Sequence, residues 1–168
     1  RNNQIQVMGA RALGPSTMSG RITAIEGITT DGQLNLYIGT AGGGIWKSQN
    51  GGQTFLPLFD KYCQSIGALA IEPGNAKVVY AGTGESNTRN SVSYGDGLYK
   101  TTDGGNNWQK IGLENTERIS KIIVDPSDKK TIYVSAPGPL WNASSNRGLY
   151  KSSDAGKSWE KILYVNDE

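Results

Sequence analysis

The sequence predicts an all-β protein made of three four-stranded antiparallel sheets, set side by side as blades of a β-propeller. Three observations support this prediction. A Gly-rich segment occurs three times, at residues 44–58, 97–111 and 148–162. Two short runs of apolar and β-branched residues precede each copy. The complete unit recurs after 53 residues and then after 51, an interval typical of β repeat arrays.

The repeated segment has the pattern of a β-hairpin. In its second copy, GLYKTTDGGNNWQKI, two strand-like runs flank a turn that is rich in Asp, Asn and Gly. Asp and Asn accept hydrogen bonds from turn N–H groups, and Gly adopts the positive φ that such turns require. The aromatic residue after the turn is suited to packing against the next repeat. The residues common to the copies are Ser48, Asn50, Gly52 and Phe55; Thr101, Asp103, Gly105 and Trp108; and Ser152, Asp154, Gly156 and Trp159.

Two roles are open for the acidic residues of these turns. Asp103 and Asp154 could be metal ligands or catalytic carboxylates, or they could bond locally to the turn backbone. Local bonding explains all three copies at once, including the one with Asn50, so we predict a structural role for the whole set and no metal site.

Two further strands are expected ahead of each hairpin. The first lies at 21–25, 65–71 and 118–124, and the second at 36–39, 79–82 and 132–135. These strands and the hairpins give blades at 21–59, 65–113 and 118–164. A parallel β-helix would need shorter coils, and a β-sandwich would not explain the repeat.

Residues 7–13 match the fourth strand of a blade and are predicted to be a closing strand, which completes the last blade of a ring. A closed propeller has at least ~4 blades. We therefore interpret residues 1–168 as part of one propeller domain, a fragment of a larger ring.

Composition excludes several classes of function. The chain contains no histidine, so triads and metal sites that depend on histidine are excluded, and Cys63 is its single cysteine. Its 17 basic and 15 acidic residues are interspersed, which gives no case for nucleic-acid binding. No apolar run approaches the ~18 residues of a membrane span, and no cofactor-binding motif occurs.

The repeated turns resemble the Asp-box, or BNR, repeats of sialidases, other glycosidases and sortilin-type propellers. Wider segments at 14–22, 39–47, 82–85, 94–100 and 138–141 resemble the N-terminal part of large bacterial sortilin-like propellers, often labelled glycosyl hydrolases. The resemblance covers nearly the whole chain. It implies a propeller fold, structural Asp-boxes and an extracytoplasmic location, whether secreted, periplasmic or at the cell surface.

Antiparallel strand order divides the connections between two faces of the predicted propeller. The first-to-second turns and the Asp-box turns share one face, and the second-to-third and blade-to-blade loops share the other, the loop face. The second-to-third connection is about ten residues longer in blades 2 and 3 than in blade 1. Inserted loops on one face commonly form binding surfaces. The candidate ligand residues on the loop face are Arg21, Glu85, Tyr94, Asp96, Arg118, Trp141 and Arg147.

Structural roles are open for several of these residues. Trp141 lies in a polar loop, where it either forms a platform for a sugar or peptide or packs on its own loop. Arg21 and Arg118 precede equivalent strands, and either face the central channel or pair with Glu85 or Asp96 across blades. Asp96, between two glycines, is also suited to fixing a turn.

We therefore expect a non-catalytic module that binds protein, peptide or glycan through its loop face. Its expected partners are the remaining blades of the same propeller or other protein chains. The alternatives are a glycoside hydrolase, sialidase-like or of another Asp-box type, and a scaffold subunit of a larger assembly. A glycosidase needs two carboxylates about 5 Å apart or about 6.5–9.5 Å apart. No spacing in the sequence selects such a pair, so no catalytic residue is assigned.

Overall fold

The computed structural model describes residues 20–88, 92–164 and 166. Within these residues the protein is all-β, with three four-stranded antiparallel sheets in which the order in space follows the order in the chain. The only helical element of the described residues is one 3-10 turn at Glu114–Thr116. The repeat thus predicted the fold class correctly. The proposed closing strand at 7–13 lies outside the described residues.

Each sheet forms one blade, and its strands are numbered along the chain. Blade 1 consists of β1 Ile22–Thr30, β2 Gln33–Thr40, β3 Ile45–Ser48 and β4 Leu56–Pro57. Blade 2 consists of β5 Ile66–Glu72, β6 Asn75–Thr83, β7 Leu98–Thr101 and β8 Gln109–Lys110. Blade 3 consists of β9 Lys121–Val124, β10 Ile132–Ala136, β11 Gly148–Ser152 and β12 Glu160–Leu163. The first strands of consecutive blades contact each other, β1 with β5 and β5 with β9.

The first hairpin is longer than its sequence pattern indicated. We expected β1 to end at Ile25, but it pairs with β2 as far as Thr30 opposite Gln33. Only Asp31 and Gly32 remain in the turn, both with positive φ, at 51° and 76°. This is the backbone of a two-residue type I′ turn, whose twist matches that of the flanking strands and lets pairing continue up to it.

Blades 1 and 2 enclose an aromatic core. Phe59, in the loop after β4, is fully buried, and its ring centroid lies 4.8 Å from that of Tyr62, 5.2 Å from that of Tyr99 and 5.1 Å from that of Trp108. The Tyr99 and Trp108 rings meet Phe59 nearly edge to face, the arrangement that the charge distribution of aromatic rings favours. Phe59 therefore links the end of blade 1 to strand β7 and to the repeat turn of blade 2.

Blades 2 and 3 enclose a second core that is mainly aliphatic. Its centre consists of Tyr80 and Leu98 from blade 2 and Ile122, Ile132 and Val134 from blade 3, all buried. Alternate residues of β9 point to this core and away from it, as in any strand with one covered face. Each blade is thus held mainly by contact with its neighbours.

The three repeat turns, at residues 48–55, 101–108 and 152–159, share one network of local hydrogen bonds. In the second turn the Thr101 hydroxyl donates to Asp103 Oδ1 at 2.7 Å and accepts from the N–H of Gly105 at 3.0 Å. The same carboxylate oxygen accepts from the N–H of Asn107 at 2.9 Å. The first and third turns repeat this pattern around Asn50 and Asp154. All of these bonds stay within one turn.

The aromatic residue of the turn packs in the opposite direction to our expectation. Trp108 of blade 2 contacts Phe59 of blade 1. Trp159 of blade 3 donates its indole N–H to the backbone oxygen of Ile111 in blade 2 at 2.8 Å. Both therefore contact the preceding repeat. Spacing along the chain identified these residues as contacts between repeats, but it carries no information on the direction of packing.

The turn carboxylates make stability depend on pH. The N–H and side-chain amide of Asn107, together with the Thr101 hydroxyl, lower the pKa of Asp103 from 3.8 to about 2. Hydrogen bonds from Ser158 likewise lower the pKa of Asp154. A carboxyl whose pKa is lower in the folded state stabilises the fold above its unfolded pKa, and this contribution is lost as the pH falls through the folded value.

We therefore expect the Asp103→Asn, Asp154→Asn double variant to lose less thermal stability than the wild type between pH 4 and pH 2. The natural Asn50 turn shows that an amide oxygen can accept the same backbone bond. Tm measured by circular dichroism across this pH range tests the prediction. Asp60→Asn is the matched control, because that carboxylate is exposed and makes no hydrogen bond within the described residues. Equal Tm profiles for the double variant and the wild type would contradict the prediction.

Candidate functional site

The structure distributes the seven candidate residues over three separate groups on the loop face. The first, named here the Arg118 cluster, contains Arg21, Glu85, Tyr94, Glu117 and Arg118. The second surrounds Asp96, and the third is the 137–147 loop with Trp141 and Arg147. The candidates therefore share a face without forming a single pocket.

An ion pair joins blade 1 to blade 2 within the Arg118 cluster. Arg21 Nε donates to Glu85 Oε1 at 2.9 Å, and a second guanidinium nitrogen pairs with the other carboxylate oxygen. The side chain of Glu85 is only 1% exposed, and its backbone N–H donates to Ser65 Oγ. A buried carboxylate needs such a partner, because desolvation of an unpaired charge is costly. Arg21 is thus engaged with Glu85, one of the two acids that the sequence suggested.

Arg118 lies beneath the loop face instead of reaching freely into the channel. Its side chain is 1% exposed. Its Nε donates to the backbone oxygen of Glu85 at 3.1 Å, and Nη1 lies 3.2 Å from the carboxylate of Glu117. The guanidinium carbon is 5.0 Å from the centroid of the Tyr94 ring, a cation–π distance. Arg118 therefore supports Tyr94, whose own surface is 64% exposed.

Asp96 is tied into the base of its loop. Its carboxylate accepts from the Tyr99 hydroxyl at 2.7 Å, from Lys110 at 2.8 Å and from the Thr83 hydroxyl at 3.3 Å. Burial opposes its ionisation, but the hydrogen bonds from Lys110 and Tyr99 outweigh burial and lower the pKa of Asp96. Burial and the bond to Asp96 raise the pKa of Tyr99 to about 12. Asp96 is therefore held as a paired carboxylate that fixes the turn.

Arg147 organises the loop that carries Trp141. Its guanidinium donates to the backbone oxygens of Pro137 at 3.0 Å, Pro139 at 2.5 Å and Asn142 at 2.9 Å. Trp141 itself is 69% exposed, so it does not pack on its own loop. Of these two candidate ligand residues, Arg147 is engaged with the backbone of its loop, and Trp141 is presented to solvent.

The opposite face carries a groove that sequence reasoning missed. It has a volume of about 930 Å³ and lies between blades 1 and 2, where turns of both blades meet. Lys47 lines it, donating to the backbone oxygen of Gly104 at 3.0 Å, and burial lowers the pKa of this lysine. A similar gap of about 700 Å³ lies between blades 2 and 3 beside Lys100. The grooves arise from the spacing between neighbouring blades, and the sequence pattern of a repeat does not indicate that spacing.

Three acids of the loop face are paired with bases. Glu85 pairs with Arg21, Asp96 with Lys110, and Glu117 with Arg118. Within the described part of the chain, no three acidic or cysteine side chains come together in a way that could hold a metal ion. No helix in that part is long and apolar enough to cross a membrane.

Consecutive four-stranded antiparallel blades with adjacent first strands define a β-propeller. The model of the Sortilin-Vps10 family, described as sortilin, neurotensin receptor 3, matches residues 43–166. The chain belongs to this family.

Several proteins to which the chain is similar are named as xyloglucanases or GH74 enzymes. A xyloglucanase from a Paenibacillus species is 28% identical over 142 residues, which cover 76% of this chain and 13% of the enzyme. The GH74 enzyme of Niastella koreensis is 26% identical, with a TM-score of 0.56 over 86% of this chain and 23% of its own. An ancestral GH74 enzyme shares the fold, with a TM-score of 0.64 at 23% identity over 88% of this chain and 19% of its own. The chain therefore spans less than a quarter of the length of each.

Proposed function

We propose that the loop face binds a glycan against the exposed rings of Tyr94 and Trp141. In this proposal the described residues contribute binding groups, and not catalytic carboxylates, to a propeller related to glycoside hydrolases. The observation that carries the proposal is the exposure of these two aromatic side chains, 64% and 69%, beside backbone that is held by hydrogen bonds, from Arg147 near Trp141 and between Gly95 and Glu117 near Tyr94.

The fixed loops matter because ordering a flexible loop on binding reduces affinity. Trp141 is presented by a segment that Arg147 holds through three backbone oxygens. Tyr94 lies over the guanidinium of the buried Arg118. The apolar C–H faces of a pyranose ring can pack on such aromatic rings and remove them from water. Both platforms are thus formed before a ligand arrives.

The pairing of Asp96 with Lys110 and of Glu85 with Arg21 supports binding over catalysis. A glycosidase acid is protonated near neutral pH, because its environment raises its pKa. The pKa of Asp96 is lowered instead, by Lys110 and Tyr99. Glu85 is buried against Arg21, which leaves it no free oxygen pair for a substrate.

The named relatives suggest the class of glycan. The Paenibacillus relative is a xyloglucanase, so xyloglucan oligosaccharides are the first ligands to test. Such polysaccharides lie outside cells, which supports an extracytoplasmic location for this protein. Other glycans, peptides and proteins are compared in the same assay.

We expect Trp141→Ala and Tyr94→Ala each to weaken binding of xyloglucan oligosaccharides about tenfold, the loss of about 1.4 kcal/mol of stacking. Isothermal titration calorimetry on the whole polypeptide that carries this chain measures the effect. Leu56→Ala is the matched control, because Leu56 is an exposed apolar side chain away from the loop face. Binding that is equal in all three variants, or stronger binding of a peptide than of any glycan, would refute the proposal.

Hydrolysis by the whole polypeptide is the second candidate, and the xyloglucanase relatives are the observation that favours it. In that case the acid and base would come from parts of the polypeptide beyond the described residues. Release of reducing ends from xyloglucan, measured on the same preparation, distinguishes the candidates. Turnover that is lost in Asp96→Asn while its Tm and its affinity for xyloglucan oligosaccharides stay those of the wild type would show that the described residues do supply a catalytic carboxylate.

A further inference from the structure

The groove between blades 2 and 3 differs in charge from the groove between blades 1 and 2. Among the described residues, the groove between blades 2 and 3 is lined by no acid and by three lysines, Lys100, Lys110 and Lys157. The groove between blades 1 and 2 is lined by two lysines and also by two acids, Asp31 and Asp103. Equivalent parts of the repeat thus form one groove with balanced charges and one with an excess of positive charge.

One position of the repeat turn accounts for part of this difference. Lys157 follows the glycine of the turn in blade 3, where blade 2 has Asn106, and each of these side chains lines the groove in front of its own blade. Lys157 is exposed and makes no ion pair within the part of the chain that the structure describes. Lys110 contributes less charge, because Asp96 pairs with its ammonium at 2.8 Å. Lys157 therefore brings an unpaired positive charge to the groove.

Lys100 lies at the same groove with hydrogen-bonding capacity to spare. Its ammonium donates to the backbone oxygen of Ala155 at 3.3 Å, and an ammonium has three N–H donors. Burial lowers the pKa of Lys100, the charge of Glu72 opposes this effect, and the charge of Lys157 adds to it. Glu72 is shared, because its carboxylate also lies 3.9 Å from Lys129. An anion between Lys100 and Lys157 would relieve the repulsion between their ammonium groups.

The junction of blades 2 and 3 also has fewer acceptors in use than the junction of blades 1 and 2. At the earlier junction the Tyr37 hydroxyl donates to the backbone oxygens of Ala76 at 3.0 Å and Gly104 at 3.3 Å. The equivalent hydroxyl of Tyr80 is buried and has no hydrogen-bond partner within the described residues. The ring of Tyr80 lies beside Lys100, with its centroid 5.1 Å from the ammonium. Donors therefore outnumber acceptors next to this groove.

The remaining walls of the groove suit a sugar ring. Trp159 and Ile111 line it as partly buried apolar side chains, on which the C–H face of a pyranose can pack. Thr102 and Gln109 line it as exposed polar side chains, whose hydrogen-bonding groups are not engaged within the described ranges. The volume of about 700 Å³ is in the range of small-molecule sites, which combine apolar walls with a few polar groups.

We propose that the groove between blades 2 and 3 binds an acidic sugar, with the carboxylate of a uronate residue held between Lys100 and Lys157. A cleft lined by charges of one sign concentrates ligands of the opposite sign, and charge-assisted hydrogen bonds are stronger than neutral ones. The proposal does not depend on the glycan proposal for the loop face, because ligand, groove and binding residues all differ.

Trigalacturonate is the probe, and isothermal titration calorimetry on the whole polypeptide is the measurement. We expect Lys157→Asn to weaken binding about tenfold. The substitution is compatible with the turn, because Asn106 occupies the equivalent position in blade 2. Lys77→Asn is the matched control, since it removes the same charge from an exposed lysine of the groove between blades 1 and 2, and its affinity should stay within about twofold. Trigalacturonate in which every carboxylate is a methyl ester should bind at least tenfold more weakly to the wild type.

Four results would overturn the proposal: no measurable binding of trigalacturonate, equal affinity for its methyl ester, equal losses in Lys157→Asn and Lys77→Asn, or displacement by inorganic phosphate at an equal dissociation constant. The last result would mean that the groove binds any small anion and does not recognise the sugar. Trp141→Ala should bind trigalacturonate as the wild type does, so failure of this proposal and failure of the loop-face proposal are distinguishable.

Discussion

Gly67→Ala is expected to destabilise the protein by about 4 kcal/mol or more, among the largest effects of a single substitution. A Cβ on Gly67 would lie 2.2 Å from the backbone oxygen of Ile119 and 2.3 Å from that of Gly84. Neither atom can move away alone, because the N–H of Gly84 bonds to Ser65 and that of Ile119 to Thr83. Relief therefore requires β5 to move away both from Gly84, which follows β6 in its own blade, and from Ile119 at the start of blade 3. Urea unfolding followed by circular dichroism measures the loss.

Gly42→Ala is the control for this experiment. A Cβ on Gly42 would meet nothing within 4 Å, and its φ lies outside the left-handed region. Its free energy of unfolding should stay within about 0.5 kcal/mol of the wild type. If Gly67→Ala lowered the free energy of unfolding as little as Gly42→Ala does, β5 would not approach Ile119 as closely as described. The position of Arg118, next to Ile119, would then also be incorrect.

Phe59→Ala is expected to lower the free energy of unfolding by about 3–5 kcal/mol, because it removes a fully buried ring and leaves a cavity. The cavity would be bounded by Tyr62, Tyr99 and Trp108, whose rings belong to two blades and which are held by hydrogen bonds of their own. These neighbours cannot collapse together without shifting blade 1 against blade 2. The same urea titration measures the effect.

Two further variants serve as controls for Phe59→Ala. Phe59→Leu keeps most of the volume and loses the edge-to-face contacts, so it should cost less than Phe59→Ala. Phe55→Ala removes a phenyl ring that is only partly buried, and it should also cost less. A loss for Phe55→Ala equal to that for Phe59→Ala would show that the aromatic core is not centred on Phe59.

The strand order could be predicted from the sequence because each blade is assembled from neighbouring segments. The side chains of Thr101 and Asp103 bond only within their own turn, so the pattern of that turn is visible in three copies. Phe59 was not predicted to be central. It lies in a loop without a repeat signal, and its importance depends on rings that are more than 35 residues away along the chain, Tyr99 and Trp108.

From the sequence, the candidate site could be assigned only to one face of the predicted propeller. Topology placed Arg118, Trp141 and Arg147 on loops at one end of the blades. It could not show that Arg118 is buried under Tyr94, or that Arg147 bonds to the backbone of its own loop. Those contacts depend on the path of the inserted loops, and neither the length nor the composition of a loop fixes its path.

The contact that joins Lys47 to Gly104 and Lys100 to Ala155 has a consequence for cooperativity. Each such bond couples a blade only to the one beside it, so the free energy of the array is a sum of intrinsic and nearest-neighbour terms, as in a one-dimensional Ising chain. Blade 2 has a coupled neighbour on each side and opens last. Blades 1 and 3, at the two ends of the described array, unfold first unless another structural element packs on them. A substitution that weakens one junction destabilises the two blades that meet there and leaves the other junction intact.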